Sequence, residues 1–225
     1  MKPQFYLILD FDSTIVGLET LECLAEIVLS DNPNKKQIID EISNYTNLAM
    51  GGKISFDKSL EYRFNLMDVN KNHIAKLIDN ISNSFDDSFI KNLDFFEKYN
   101  SNIYIVSGGF KNIIESVMQS KTHFKWNVFA NDFIFNNSGK LIGVDSKNPL
   151  AHSLGKVNVI KSLNLEHDII VVGDGYTDYE IRKHNEAKHF LAYTKHVRRD
   201  NVISNSDQNC TDFNQVIDFI KSKYC

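Results

Sequence analysis

Four short apolar runs along the chain are typical of strands that are buried on both faces. They are FYLILD (5–10), NIYIVSGG (102–109), DIIVVGDG (168–175) and HFLAYT (189–194). They lack the alternation of polar and apolar residues that a sheet with one solvated face requires. Helical patterns lie between these runs: DDSFIKNLDFFEKY, GFKNIIESVMQ and GKVNVIKSLNL. Alternating strands and helices predict an α/β fold with a Rossmann-like, doubly wound parallel sheet.

The segment 18–84 interrupts this alternation, because it contains helical patterns and no strand candidate. Apolar residues recur there at helical spacing: Leu21, Leu24, Ile27 and Val28, then Ile38, Ile39 and Ile42, then Ile74, Leu77 and Ile78. We therefore predict an α/β core formed by 1–17 and 85–225, and a helical domain, here called the cap, formed by 18–84. The segment 127–144 is expected to form a hairpin around an Asn-Ser-Gly turn.

Composition limits the classes of protein and partner. The chain has 225 residues, 42% of them hydrophobic, which is enough for a packed core with a sizeable insertion. Its formal net charge of -4 is spread over both signs, which argues against nucleic acid as the main ligand. Three widely spaced cysteines favour free thiols in a reducing compartment. The apolar runs are too short for a signal peptide or a membrane span, so we expect a cytoplasmic protein that binds no membrane. We further expect a monomer or a homodimer.

Polar residues end three of the predicted strands. Asp10 and Asp12 end the first, 107–109 (SGG) the second and 173–175 (GDG) the third. Asp10 and Asp12 point to the same side of an extended strand, where like charges repel unless a cation or a shared proton intervenes. Alone, such a pair is as often a surface feature near a turn. Because ligands of open α/β sheets bind at the carboxyl ends of the strands, the three ends together predict one shared site.

The carboxylates in this set suit phosphoryl transfer. Asp10, Asp12 and Asp174 offer the hard oxygen ligands that Mg²⁺ prefers. With the cation bound, Asp10 would attack phosphorus as a carboxylate nucleophile. Asp12 would protonate the leaving oxygen and later deprotonate the hydrolytic water.

Phosphate oxygens need hydrogen-bond donors and a compensating positive charge. The Ser107 hydroxyl and the Gly108 amide are the predicted donors, and Lys156 is the predicted cation. A lysine at the start of a helix is usually solvated, but the order of the motifs along the chain favours a role in the site for this one.

These motifs resemble those of the haloacid dehalogenase superfamily of aspartate-nucleophile phosphatases. The resemblance rests on DxDST at 10–14, SGG at 107–109, Lys156 and GDGxTD at 173–178, in this order over almost the whole chain. It implies that the cap closes over the site, excludes water and selects the substrate. It also implies that Thr177 binds phosphate and that Asp178 supports the site.

Within that superfamily the cap sequence is most similar to the phosphoserine phosphatases. The similar segments are ETLECLAEI (19–27) and AMGGKISFDKSLEYR (49–63). The resemblance implies that Glu19 binds the ammonium group of the substrate and Arg63 its carboxylate, which a guanidinium matches with two parallel hydrogen bonds. It further implies a pocket lined by Met50, Gly51 and Phe56. Without the resemblance, Glu19 and Arg63 would be interpreted as surface charges.

Some positions depart from the pattern of these relatives. Tyr176 stands where a small residue is usual, Leu154 where a glycine is frequent, and Gly17 and Leu18 where polar residues are frequent. These differences concern substrate preference more than reaction type. Whether Arg198 or Arg199 approaches the cap is left open.

The predicted activity is Mg²⁺-dependent hydrolysis of O-phospho-L-serine to serine and phosphate through an aspartyl phosphate, the last step of serine biosynthesis. Two alternatives keep the chemistry: another small phosphomonoester as substrate, or transfer of the phosphoryl group to an alcohol such as homoserine. A phospho-accepting signalling receiver would also gather Asp, Ser or Thr, and Lys at strand ends. Receivers lack a large helical cap, however, and an Asp two residues after the nucleophile disfavours a lasting aspartyl phosphate.

Overall fold

A six-stranded parallel sheet forms the centre of the protein, whose computed structural model describes residues 4–224. The strands of the described residues are β1 (Phe5–Leu9), β2 (Ile103–Phe110), β3 (Asn127–Asn131), β4 (Phe133–Phe135), β5 (Leu141–Val144), β6 (Asp168–Gly173), β7 (His189–Tyr193) and β8 (Gln208–Cys210). The order in the sheet is β3-β2-β1-β6-β7-β8, with every pairing parallel. The predicted α/β class and parallel sheet are confirmed.

Strand β1 lies in the middle of this sheet, between β2 and β6. Leu9 pairs with Ile105 on one side and with Val172 on the other. Phe5, Leu7 and Leu9 pack in one hydrophobic cluster and Ile8 in a second one. Successive side chains of a strand point to opposite faces, so a strand covered on both faces is apolar throughout.

The segment 127–144 differs from its prediction. Asn127–Asn131 pairs in parallel with β2 at the edge of the main sheet, and only β4 and β5 form the antiparallel hairpin. The turn is where it was expected, with the Asn136 amide donating to the carbonyl of Lys140 at 2.9 Å. The first part of the segment is apolar enough to extend the sheet, which satisfies its backbone groups.

The helices flank the sheet and fill the cap. They are α1 (Thr20–Val28), α2 (Lys35–Met50), α3 (Phe56–Asn65), α4 (Lys71–Ile81), α5 (Asp87–Lys91), α6 (Leu93–Lys98), α7 (Lys111–Gln119), α8 (Gly155–Ser162), α9 (Tyr176–Lys183), α10 (Asp200–Ile203) and α11 (Phe213–Tyr224). Helices α1 to α4 follow β1 and precede β2, so the helical character of 18–84 is confirmed. The division into two domains stays a prediction.

Helix α4 illustrates how the cap sequence specifies its helices. Asn70 caps its N-terminus by accepting hydrogen bonds from the backbone amides of Asn72 and His73. The predicted apolar stripe contributes Ile74 and Leu77 to the buried core. Among residues 4–224, no helix has both the length and the apolar character needed to cross a membrane. Cys23 and Cys210 are free thiols, and Cys225 lies outside the described residues.

Candidate active site

The carboxyl ends of β1, β2 and β6 bring the predicted residues to one edge of the sheet. Asp10 follows β1, and its backbone amide donates to the carbonyl of Val172 at 3.0 Å. Ser107 lies in β2, Asp174 follows β6, and all three polar side chains are buried. Most of the predicted residues line one cavity here: Asp10, Asp12, Glu19, Met50, Phe56, Arg63, Ser107, Gly108, Lys156 and Asp174.

Lys156 joins two buried carboxylates at the base of this cavity. Its Nζ lies 2.9 Å from Oδ2 of Asp10 and 2.7 Å from Oδ1 of Asp178. Burial alone would lower the pKa of Lys156, but the carboxylates of Asp10 and Asp178 raise it above its usual value. The lysine is therefore a permanent cation beside the predicted nucleophile.

A group of three buried carboxylates fits a divalent cation. One oxygen from each of Asp10, Asp174 and Asp178 lies within 4.8 Å of the others. Burial is the main reason that the pKa of Asp174 rises to about 7, and the negative charges of Glu19 and Asp10 add to it. A cation among these hard oxygen donors would relieve this repulsion, and Mg²⁺ prefers such ligands.

Asp12 stands apart from this group, and its predicted role as a metal ligand stays a prediction. Its Oδ2 accepts a hydrogen bond from the backbone amide of Thr20 at 3.1 Å, and its Oδ1 accepts one from the Thr20 hydroxyl. Burial raises the pKa of Asp12 to about 7, and the charge of Asp10 adds to this against the hydrogen bonds from Thr20. A carboxyl with that pKa can both give and take a proton near neutral pH, as a general acid and base must.

Two residues of opposite charge lie on the cap side of the cavity. Glu19 accepts a hydrogen bond from the Ser13 hydroxyl at 2.7 Å, and burial together with the charge of Asp12 raises its pKa to about 8. Arg63 is buried and donates to the Thr46 hydroxyl at 3.1 Å and to the carbonyl of Ser59 at 3.2 Å. The cavity thus offers an acidic and a basic side chain, the two kinds of group that bind the ammonium and the carboxylate of an amino acid.

Phe56 and Met50 of the cap pack on glycines of the core. A Cβ atom on Gly108 would lie 2.5 Å from Cζ of Phe56, and one on Gly175 would lie 2.8 Å from Sδ of Met50. The core therefore needs glycine at these two positions for the cap to approach. The Ser107 hydroxyl oxygen accepts a hydrogen bond from the Gly109 amide at 3.0 Å, which leaves its proton free to donate.

Tyr176, one of the departures from the family pattern, faces the cap and does not line the cavity. Its ring covers Gly52, whose φ of 71° is left-handed, and a Cβ atom there would lie 2.8 Å from Cγ of Tyr176. Beside it, the Thr177 hydroxyl lies 4.0 Å from Sδ of Met50. The carbonyl of Gly51 accepts a hydrogen bond from Nδ2 of Asn201 at 2.8 Å. The cap segment around Gly51 is therefore docked on the core.

Sequence reasoning left Arg199 unassigned, yet its side chain reaches the site. It is buried, pairs with the Asp174 carboxylate, and lies 3.8 Å from Oε1 of Glu19. Its neighbour Arg198 is exposed and pairs with Asp200. The only sequence signal was a pair of adjacent arginines, which does not say which of them points inward.

Thr46 and Glu22 were also not predicted from the sequence. The Thr46 hydroxyl donates to Oε1 of Glu22 at 2.5 Å and accepts from Arg63. Glu22 lies three residues after Glu19, so both occupy the same face at the start of α1. That spacing was the available signal, and it would have suggested a second carboxylate beside Arg63.

Comparisons with known proteins match this chain to a nucleotidase family and to phosphoserine phosphatases. The family described as pyrimidine 5'-nucleotidase (UMPH-1) matches residues 56–213. Phosphoserine phosphatase from Homo sapiens is 30% identical over 211 residues, which cover 92% of this chain and 89% of the human protein. The chloroplastic phosphoserine phosphatase of Arabidopsis thaliana is 28% identical over 201 residues, 88% of this chain but only 65% of its own length.

A solved structure extends this similarity to the fold. It is that of a phosphoserine phosphohydrolase-like protein from Francisella tularensis subsp. tularensis SCHU S4, with a TM-score of 0.86 and 30% sequence identity. The superposition covers 96% of this chain and 99% of that chain. The match to the pyrimidine 5'-nucleotidase family begins only at residue 56, after Asp10, Asp12 and Glu19.

Proposed function

We propose, because this chain belongs to the phosphoserine phosphatase family of the haloacid dehalogenase superfamily, that it is a Mg²⁺-dependent phosphatase that hydrolyses O-phospho-L-serine to L-serine and phosphate. One observation carries the proposal. A single cavity has Asp10 and Lys156 at its base and Glu19 and Arg63 on its cap side. Phosphoserine has a phosphate, an ammonium group and a carboxylate, so each of its charged groups would meet residues of suitable charge.

The first chemical step would use Asp10 and Asp12. A carboxylate oxygen of Asp10 forms a bond to phosphorus while the bond from phosphorus to the serine oxygen breaks. Asp12, protonated in this step, gives its proton to the leaving oxygen, and serine departs as the alcohol. The pKa of Asp12, raised to about 7, supports this role.

The second step would hydrolyse the aspartyl phosphate. The Asp12 carboxylate takes a proton from water, whose oxygen attacks phosphorus as the bond to Asp10 breaks. Phosphate leaves and Asp12 is protonated again, ready for the next cycle. Mg²⁺ bound by Asp10, Asp174 and Asp178 would neutralise charge on the phosphate oxygens.

Binding of the phosphate would rely on donors of the core. The Ser107 hydroxyl, the Gly108 amide and the Thr177 hydroxyl would donate hydrogen bonds to the phosphate oxygens, and Lys156 would balance their charge. Lys156 is already paired with Asp10, so its cation stands next to the nucleophile.

Recognition of the amino acid would rely on the cap. Arg63 would bind the carboxylate with two hydrogen bonds. Glu19 would bind the ammonium group, whose positive charge favours the ionised form of a carboxyl with a raised pKa. In a cell this reaction would be the last step of serine biosynthesis, and the cytoplasmic location and the monomer or homodimer stay predictions.

Phosphate release from a panel of phosphomonoesters tests the proposal. The panel holds O-phospho-L-serine, p-nitrophenyl phosphate and UMP, each with Mg²⁺ or with EDTA, and the Asp10→Asn protein is the control. We expect a strong, Mg²⁺-dependent preference for phosphoserine. A preference for UMP would favour the nucleotidase relationship of residues 56–213. Formation of O-phosphohomoserine when homoserine is added would indicate a phosphotransferase.

A further inference from the structure

The cap is joined to the core by two connections that run side by side. Val16 pairs with Phe85 in an antiparallel bridge. The Gly17 amide donates to the carbonyl of Ser84, and the Asp86 amide donates to the carbonyl of Ile15, both at 2.8 Å. These connections, residues 15–17 and 84–86, are here called the hinge. Because these two segments lie side by side, a side chain that packs against both can set the direction in which the cap leaves the core.

Asp86, at the core end of the hinge, is a buried carboxylate with many donors. Its Oδ1 accepts hydrogen bonds from the Ser88 amide and hydroxyl and from the Phe89 amide, at 2.8, 2.5 and 3.1 Å. Burial alone would raise its pKa, but hydrogen bonds from His196, Ser88 and other donors lower the pKa well below the usual range. Asp86 is therefore ionised, and one of its oxygens is already fully used by α5.

The other oxygen of Asp86 binds the last residue of β7 and the segment that follows it. Oδ2 accepts from the Tyr193 hydroxyl at 2.7 Å, and it lies 2.9 Å from Nζ of Lys195 and 2.9 Å from Nε2 of His196. None of these side chains lines the substrate cavity. The polar cluster thus belongs to the hinge and not to the site already described.

His196 also touches the other connection of the hinge. A Cβ atom on Gly17 would lie 2.9 Å from Cε1 and 2.9 Å from Nδ1 of the His196 ring. The glycines with a left-handed backbone are Gly52, Gly139 and Gly143. The backbone conformation at position 17 therefore does not require a glycine. Glycine is needed there because the imidazole ring occupies the space of a side chain. One residue of the core therefore contacts both connections at once.

We propose that Asp86 and His196 form a hinge clamp, a pair of positioning residues that fixes the direction in which the cap leaves the core. Three residues after His196, Arg199 pairs with Asp174 of the core and approaches Glu19 of the cap. The same segment thus fixes the hinge at one end and the closed cavity at the other. The clamp rests on the proposed function, because its effect is to hold Glu19 and Arg63 over the substrate.

A double-mutant cycle between Gly17 and His196 tests the clamp. In the wild-type background the methyl group added by Gly17→Ala collides with the ring of His196. We expect KM for phosphoserine to rise at least about fivefold. His196→Ala should raise KM as well. In the His196→Ala background, Gly17→Ala should change KM by less than about 1.5-fold, because the ring that it collides with is gone.

Three controls separate positioning from general destabilisation. Lys195→Ala removes another partner of the same Asp86 oxygen without touching Gly17, so the effect of Gly17→Ala should persist in that background. His196→Gln keeps a hydrogen-bond donor for Asp86 on a flexible side chain. Its KM should therefore lie closer to that of wild type than the KM of His196→Ala does. Hydrogen exchange at 15–17 and 84–86 should become faster in His196→Ala while the thermal midpoint of each protein confirms that it is folded.

The outcomes are distinct from those that test the function. If wild-type protein prefers another phosphomonoester, the proposed function fails, and the cycle is run on that substrate with the same expectation. If the double variant raises KM by the product of the two single effects, Gly17 and His196 act independently and the clamp is overturned. Unchanged KM and unchanged hinge exchange in both single variants would also overturn it.

Discussion

The guanidinium of Arg199, from the core, lies 3.8 Å from Oε1 of Glu19, which precedes the first helix of the cap. The same guanidinium pairs with Asp174 at the end of β6. One buried cation therefore stands between a carboxylate of the candidate metal group and a carboxylate of the predicted ammonium site. It links the two sides of the cavity electrostatically as well as by packing.

Arg199→Ala is expected to lower kcat/KM for phosphoserine by roughly ten- to a hundredfold, the scale of one charge-assisted hydrogen bond. The physical reason is that Asp174 and Glu19 would remain buried without their common cation. Arg199→Lys keeps the charge but not the forked donors, so its kcat/KM should lie between those of wild type and Arg199→Ala. Steady-state kinetics of the three proteins measures this, and equal activity of the alanine variant and wild type would remove Arg199 from the site.

Asp10→Asn should reduce turnover by more than about a thousandfold, because the amide is a poor nucleophile. The side chain keeps its shape, and Lys156 keeps its pairing with Asp178, so the fold should persist. Phosphate release and circular dichroism on the same sample check both parts. Substantial turnover would show that Asp10 is not the nucleophile.

Arg63→Ala should raise KM for phosphoserine by about ten- to a hundredfold while leaving p-nitrophenyl phosphate within about threefold, since only the amino acid has a carboxylate to lose. Thr46→Val is the matched control. It removes the hydroxyl that Arg63 donates to. It should also raise KM for phosphoserine and not for p-nitrophenyl phosphate, but by less than Arg63→Ala does. Similar losses on both substrates would place Arg63 outside the specificity pocket.

Tyr176→Ala should raise KM for phosphoserine several-fold, about three- to tenfold, because the ring that covers Gly52 helps to hold the cap segment on the core. Tyr176→Phe keeps the ring. It loses only the hydroxyl, which accepts a hydrogen bond from Lys183 at an exposed position, so its KM should match that of wild type. A phenylalanine variant as impaired as the alanine variant would assign the effect to the hydroxyl instead.

Without divalent cations, the thermal midpoint should fall as the pH rises from 5 to 8. Burial raises the pKa values of Asp12 and Asp174 to about 7 and that of Glu19 to about 8. In the unfolded chain these carboxyls titrate near pH 4, so between about pH 4 and 8 the folded protein binds more protons at these three carboxyls than the unfolded chain does. Its free energy of unfolding therefore decreases with rising pH.

Mg²⁺ should reverse this trend at the alkaline end. Metal ligands must be deprotonated, so the cation should raise the thermal midpoint more at pH 8 than at pH 5. Differential scanning calorimetry at both pH values, with Mg²⁺ or EDTA, measures the difference. A midpoint that is independent of Mg²⁺ at pH 8 would argue against the carboxylate group as a cation site.

Several features were accessible from sequence because they are local. Both-sided burial requires strands without polar positions, and that pattern located β1, β2, β6 and β7. Asp10 and Asp174 directly follow β1 and β6, and Ser107 lies in the last half of β2. All three could be assigned to one edge of the sheet once the sheet was known to be parallel. The helices of 18–84 followed from apolar spacing in the same way.

The tertiary structure decided which side chains meet when they are distant in sequence. Spacing could not tell that Asp178 joins Asp10 and Asp174 while the carboxylate of Asp12 is held by Thr20, or that Asn127–Asn131 pairs with β2 rather than with the hairpin. Nor could it choose Arg199 over Arg198, or direct Tyr176 towards Gly52. A local pattern fixes the element and the face that it buries, but contacts between elements depend on how their faces pack against one another, and that is determined only when the whole chain is folded.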